Sequence, residues 1–324
     1  MLVDHAVVLA FGSPHHHSQL TYNRAYAMLP ALGKPLVVRI MTRLYRVGIR
    51  NYTVIVGDSD GAVTAYLNTQ WMPDVRINFV FKTPNDSLLK LLRAIAQKSE
   101  SPFLVCSYNS FTHTHFPESI IKQHLETPDD LVLSAATNTL SKSRQHYYAI
   151  LDGHHVAGIT RNPLPAQHTM TLTDFFACGK RVAAYLTDPP DQHQQAEFGW
   201  QVIDIVQQYI ESGGKGIIAK TSWILQIETD YDLVTLNRHL LDEEHDAHIL
   251  SELPYTIRIV PPVRIDPQVS VGQGARIGPH VYLERGCSVG RDVVIRNSIV
   301  LEEAHVPAGK TVFDTIITPR GPVR

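Results

Sequence analysis

What the chain lacks bounds it first. Its 324 residues include three cysteines, Cys106, Cys178 and Cys287, far apart and each in an apolar stretch. An odd, scattered set excludes a disulfide framework and is expected to be buried thiols in a reducing cytosol. Charge of one sign is also missing, since Lys plus Arg number 29 against 31 for Asp plus Glu. That balance excludes a nucleic-acid or membrane-surface partner recruited by bulk charge. No apolar run approaches the length of a bilayer span. No basic segment precedes the first apolar run, as it would in a secretory leader. The expectation is a cytoplasmic chain with no membrane or nucleic-acid partner, large enough for two domains.

What is present starts with one strand and the loop after it. His5 to Ala10 is an apolar run of strand length, and Gly12 with Ser13-Pro14 breaks it at once. Three histidines follow, His15 to His17, then Met28-Leu29-Pro30-Ala31-Leu32-Gly33-Lys34-Pro35. Helical spacing then predicts a helix over 35–47, and strands are expected at 52–56, 76–81 and 102–106 with helices at 61–68 and 87–98. Further strands fit 131–136, 146–151 and 156–160, while the pattern over 175–186 is mixed and assigns no element. Residues 189–195 read as a polar loop, 202–212 as a helix, 223–228 as a late strand and 232–241 as a helix. This alternation predicts a mostly parallel, helix-covered sheet. In such sheets ligands bind in the loops at the carboxyl ends of the strands. The histidines in that loop read as solvated side chains, with a metal or phosphate ligand as the alternative.

The tail changes period. Ile265, Val271, Ile277, Leu283, Val289, Ile295 and Leu301 fall every six residues. A second column, Val263, Val269, Ala275, Val281, Cys287, Val293 and Ile299, runs two residues ahead. Hexapeptide periodicity predicts a parallel β-helix over about 259–317. The expected division is an α/β domain at 1–246, then a linker and coil at 247–324.

With these motifs in hand, the chain resembles the sugar nucleotidyltransferases (nucleoside-diphosphate-sugar pyrophosphorylases) that carry a C-terminal left-handed β-helix. The resemblance rests on the opening strand, the glycine turn and Leu29-Pro30-Ala31-Leu32-Gly33-Lys34-Pro35, and implies a Rossmann-like fold followed by a short left-handed coil. It also implies where working groups would sit. The family's Thr-Arg falls on His15 and His16, its Pro-Lys on Ala25 and Tyr26, and its Glu-Lys-Pro on Arg161-Asn162-Pro163. Its first metal aspartate falls on Asn109, behind Tyr108, and its second on Gln226. The base-reading segment falls on Ser87-Leu88-Leu89, and an Asn-x-Gly turn on Ala177-Cys178-Gly179. The nucleotide or sugar pocket implied is Ala10, Gly12, Ser13, Lys82, Ser87, Tyr108, Asn109, Arg161 and Gly179.

Such transferases gather negative charge in the transition state and rely on cations and a carboxylate-held metal. Here His16, Tyr26 and Asn162 occupy the catalytic cation positions, and neutral amides occupy both metal positions. The expectation is a catalytically impaired relative that binds a nucleotide or sugar nucleotide, or acts as a regulatory or scaffolding subunit. It would be a homo-oligomer, or a hetero-oligomer with an active relative. No cofactor is implied; magnesium is called for only if the chain is active, through atypical groups such as Arg24, Lys34, Arg161 and Glu228. A third reading is a hexapeptide acyltransferase with His280 or His305 as base. Tyr26 and Tyr108 are expected to fill the vacated pocket, or else to stack on a base.

Overall fold

The computed structural model describes residues 3–12, 19–22, 24–58, 60–99, 102–141, 146–188, 201–243 and 248–323. In chain order come β1 (His5–Ala10), β2 (Pro30–Ala31), β3 (Lys34–Pro35), α1 (Leu36–Arg46), β4 (Asn51–Gly57), α2 (Gly61–Gln70), β5 (Arg76–Lys82) and α3 (Leu88–Lys98). Then follow β6 (Phe103–Ser107), β7 (Ser110–Thr112), α4 (Phe116–Glu126), β8 (Leu131–Ala136), β9 (Tyr148–Asp152), β10 (His155–Thr160), β11 (Thr169–Cys178) and α5 (Lys180–Thr187). The region the pattern left unassigned is thus the end of one long strand and a helix. After α6 (Val202–Glu211) come β12 (Gly216–Lys220), β13 (Ile224–Gln226) and α7 (Asp230–Asp242).

The chain divides into two compact units, and the division does not follow residue 246. One unit is Met1–Gly12 with Val37–Gln226; the other is Ser13–Leu36 with Ile227–Arg324.

The first unit is a nine-stranded sheet in the order β5-β4-β1-β6-β11-β8-β12-β10-β9. β1 pairs in parallel with both β4 and β6. It is central and covered on both sides, which is why its residues Ala6 to Ala10 are all apolar and at most 5% exposed. β11 runs antiparallel to β6 and β8 and is bulged between Leu172 and Phe176. α1 buries Leu36, Val37, Ile40, Met41 and Leu44 on one face.

The second unit contains a three-faced parallel coil. One face stacks β14 (Arg258–Ile259), β17 (Arg276–Ile277), β20 (Val294–Arg296) and β23 (Thr311–Phe313). The next stacks β15 (Val263–Ile265), β18 (Val281–Leu283), β21 (Ser298–Val300) and β24 (Ile316–Thr318), to which β25 (Gly321–Val323) adds antiparallel. The third stacks β16 (Ser270–Val271), β19 (Ser288–Val289) and β22 (His305–Val306). Ile265, Ile277, Leu283 and Ile295 point inward with no exposure, each contributing about 1.5–3 kcal/mol by burial. Gly290 is required at its corner, because a Cβ there would lie 2.5 Å from the backbone nitrogen of Ala308 in the next coil.

The six-residue columns hold only as far as Ile295. Ser298 stands opposite Val281, and Val300 opposite Leu283. Ile299 and Leu301, expected in the columns, are displaced by one position, because only Asn297 separates β20 from β21. Asn297 makes this short corner with φ 43°, and its side chain is tied on both sides. It accepts from Arg238 Nε at 3.0 Å and donates to Asp314. Within this unit, residues 19–36 and α7 attach to the coil and to each other. Arg24 bridges Glu284 at 2.9 Å and Glu302 at 3.3 Å. Leu32 N donates to Asn237 Oδ1 at 3.1 Å.

Two outcomes follow from this packing. Asn297→Val places a β-branched residue in the left-handed region and removes both anchors; urea unfolding is expected to show a loss of about 1–3 kcal/mol, whereas Asn297→Gly loses less. His124 on α4 has no exposed surface, and neither ring nitrogen has a hydrogen-bond partner among the described residues. Burial pushes its pKa below the ordinary 6.5. The unfolded chain therefore binds the proton more readily, so stability falls as pH drops through and below 6.5. Melting temperatures of His124→Leu measured from pH 7 downward are expected to flatten that limb.

Candidate functional site at the carboxyl edge of the sheet

β1, β4, β5 and β6 are parallel, so their carboxyl ends share one edge. That register brings Ala10, Gly12, Lys82 and Tyr108-Asn109 to the same side. Gly12 turns the chain with φ 73°. Its carbonyl accepts from the Tyr108 hydroxyl at 3.0 Å, and the Asp60 carboxyl lies beside the Gly12 and Gly57 backbone. Half-burial pushes the Asp60 pKa up, against the pull of the Gly12 and Gly57 backbone. Tyr108 is 3% exposed, and burial pushes its hydroxyl pKa well up, so it stays neutral. It is packed at the strand end. Lys82 Nζ lies 5.4 Å from the centre of the Phe11 ring and donates to Thr83 O at 3.1 Å. Ser87 precedes α3, and its buried hydroxyl has no partner among the described residues.

The two positions expected to carry metal carboxylates do meet. β7 and β13 pair antiparallel, setting Gln226 against Ser110 just after β6. Gln226 Nε2 donates to Asn109 Oδ1 and to Asp174 Oδ2, both at 3.2 Å. Gln226 Oε1 accepts from Ser110 Oγ at 2.6 Å and Thr173 Oγ1 at 3.1 Å. Asn109 Oδ1 also accepts from Ser107 Oγ at 2.6 Å. Asp174, Thr173 and Ser110 were missed in the sequence. The available signal was a single acid inside the otherwise uncharged run Thr169–Cys178, where the strand bulges.

A magnesium ion seeks several hard oxygens, with carboxylates supplying the charge. Here one carboxylate, Asp174, already accepts a Gln226 amide hydrogen. Both amide oxygens are bonded to hydroxyls. Among the described residues no three His, Cys, Asp or Glu side chains gather as a metal would need. The residues present do not fit that ion.

The other expected residues separate. Arg161 follows β10 and stacks on Tyr147, its guanidinium carbon 4.4 Å from the ring centre, while donating to the Tyr147 hydroxyl; that hydroxyl donates to Asp204 at 2.8 Å. Asn162 is exposed, with its amide bonded to Thr160 Oγ1 at 3.1 Å. Gly179 is not gathered with the rest. β11 is antiparallel, and Cys178 lies opposite Phe103 at the start of β6, which puts Gly179 at the other edge of the sheet. Tyr26 is buried within the second unit. Ser13 and His15 to His17 lie outside the described residues. Arg24, considered as a substitute phosphate cation, is committed to Glu284 and Glu302. Lys34 and Glu228 belong to the second unit. His280 is held by Asp242 at 2.6 Å and His305 by Ser288 at 2.8 Å, both in the coil unit.

Solved structures share the fold. The inositol-1-phosphate CTP transferase from T. maritima superposes with a TM-score of 0.59 at 14% identity, over 72% of this chain and 92% of that one. A putative glucose-1-phosphate thymidylyltransferase from Bacillus anthracis gives 0.60 at 13% identity, over 76% and 98%. The chain therefore has the fold of a sugar nucleotidyltransferase with a C-terminal parallel β-helix. Within that class, residues 259–323 match the family described as GMPPB C-terminal domain. A probable mannose-1-phosphate guanyltransferase from Schizosaccharomyces pombe is 30% identical over 93 residues, 29% of this chain and 22% of that protein. The chain thus spans about a fifth of that relative's length. A bifunctional sugar-1-phosphate nucleotidylyltransferase/acetyltransferase from Sulfurisphaera tokodaii is 19% identical over 331 aligned positions, 96% of this chain and 79% of that protein. No helix among the described residues is long and apolar enough to cross a membrane.

The network gives a direct stability expectation. Gln226→Leu strips a half-buried donor and acceptor from Asn109, Asp174, Ser110 and Thr173 at once. Denaturant unfolding is expected to register a loss of about 1–3 kcal/mol.

Proposed function

We propose that this sugar-nucleotidyltransferase-like chain does not carry out metal-assisted nucleotidyl transfer and works through binding. The bound species is a nucleotide or sugar nucleotide at the carboxyl edge of the sheet, or a protein partner for which the chain is a regulatory or scaffolding subunit. One observation carries this reading: the Gln226 carboxamide bridges Asn109 and Asp174, the place where a transferase of this kind would need charged oxygens. Neutral amides bonded to one another cannot assemble a dication, and losing even one preorganised charge contact costs orders of magnitude in rate. The Tyr108 hydroxyl on Gly12 supports the same reading, since it fixes the turn that would have to approach a phosphate. The flat coil faces suit self-association or pairing with an active relative.

Two measurements test this. Purified chain mixed with nucleoside triphosphates, sugar 1-phosphates and magnesium is expected to release no pyrophosphate above background; turnover at ordinary enzymatic rates ends the proposal. In thermal shift, magnesium alone is expected to leave the wild type unmoved. Asn109→Asp with Gln226→Asp, which sets two new carboxylates beside Asp174, is expected to gain a magnesium-dependent rise in melting temperature.

A further inference from the structure

One face of the coil gathers cations on its outer side and leaves them unpaired. On the face built from β14, β17, β20 and β23, Ile259, Ile277, Ile295 and Val312 share one register. Ile277, Ile295 and Val312 are buried, and side chains alternate along a strand, so their neighbours point outward. Arg258 stands directly opposite Arg276, and Arg296 opposite Phe313. Arg291 and Lys310 are exposed at the corner that leads into β20 and β23. None of these five cationic side chains makes a hydrogen bond or ion pair among the described residues. The other described arginines of this unit are tied. Arg24 holds Glu284, Arg238 Asn297, Arg264 Asp266 and Arg285 Gln268, while Arg320 lies over the Tyr22 ring.

Like charges directly opposite one another destabilise a sheet, so the Arg258–Arg276 column does nothing for the fold. The acid nearest in sequence, Asp292, is exposed and pairs with none of the five. Two rings flank the cations. Tyr255, on the turn directly before β14, is 99% exposed, and Phe313 on β23 is 59% exposed. Across the four strands the face thus carries a ring, three guanidinium groups and a second ring. The strand spacing spreads them over about 14 Å.

We propose that this face binds a short run of single-stranded nucleic acid. Bases stack on Tyr255 and Phe313, and the phosphates between them meet Arg258, Arg276 and Arg296, with Arg291 and Lys310 alongside. Aromatic platforms beside a cationic track are how single strands are held without sequence preference. Guanidinium forks match phosphate oxygens. The near balance of charge over the whole chain bears on bulk attraction, and here the cations are segregated locally. A duplex fits less well, since the face has no helix or ribbon standing out to enter a groove. An acidic protein fits less well because the face is far smaller than the roughly 800 Å² a stable interface covers on each partner. A lipid surface would favour one continuous apolar face, whereas these rings are held apart by charge.

Fluorescence anisotropy of the full chain with a labelled oligouridylate of about ten nucleotides tests this. At about 50 mM salt, saturable binding is expected, and it weakens as salt rises by about 0.7 in logarithmic slope for each phosphate contact. Arg258→Ala with Arg276→Ala is expected to lower that slope by about 1.4 and to weaken binding about tenfold or more. Tyr255→Ala and Phe313→Ala are each expected to weaken binding about fivefold or more with the slope unchanged. Lys122→Ala, exposed on α4 in the other unit, is expected to change neither. All these side chains reach the surface, and circular dichroism melts check that each variant folds. Absence of binding at low salt would overturn the proposal. So would binding that Tyr255→Ala and Phe313→Ala leave unmoved, which marks a site for any polyanion. Duplex of the same length, polyglutamate or anionic phosphatidylserine vesicles competing better than the unlabelled single strand would overturn it as well.

Discussion

The Gln226 carboxamide holds together three pieces of chain, its partners lying 52 to 117 residues away in sequence. It joins the end of β13 to the Asn109-Ser110 junction between β6 and β7 and to the bulge of β11. An amide can do this because it donates and accepts at once. A carboxylate in its place could only accept, and would need a cation to reconcile it with Asp174. Structure and chemistry are therefore opposed at this position. The network that satisfies the buried groups without an ion is the one that removes the charge an ion would need.

The same logic governs the turn after β1. Gly12 is held by the Tyr108 hydroxyl on its carbonyl, and the Asp60 carboxyl stands beside its backbone. Loops that approach phosphates commonly leave backbone N–H groups free to donate to them. Here an acidic side chain, Asp60, stands beside the Gly12 amide instead, which opposes an anion. The parallel frame that delivers residues to this edge is intact, while the groups delivered satisfy one another.

How much of this could be read from the sequence depended on whether the signal was periodic. The apolar run His5 to Ala10 and the hexapeptide columns repeat, so they announced the central strand and the coil. The position of Asn109 was also legible, because it directly follows a strand end. Asp174 was not, since a bulge has no period and its partner Gln226 lies fifty-two residues away. Gly179 was misplaced because strand direction decides which edge a residue reaches, and an antiparallel β11 inside a mostly parallel sheet leaves no mark in composition. The coil went out of step at Asn297 for a related reason: a corner one residue shorter conserves every local cue while moving all later residues by one. The unit boundary escaped because residues 19–36 belong with partners near the other end of the chain, such as Asn237 and Glu284.

That interleaving bears on how the polypeptide is made. Segment 13–36 leaves the ribosome early, yet the helix and coil it belongs with follow after nearly two hundred further residues. At ordinary elongation rates, roughly ten to forty seconds pass before those partners emerge. Within that interval β1 can pair first with β4 and then with β6, while the stretch directly behind it must wait as an unsheltered excursion. Synthesis order and final architecture thus run out of phase at one place, and there the nascent chain exposes Leu20, Leu29 and Leu32, all fully buried in the finished protein.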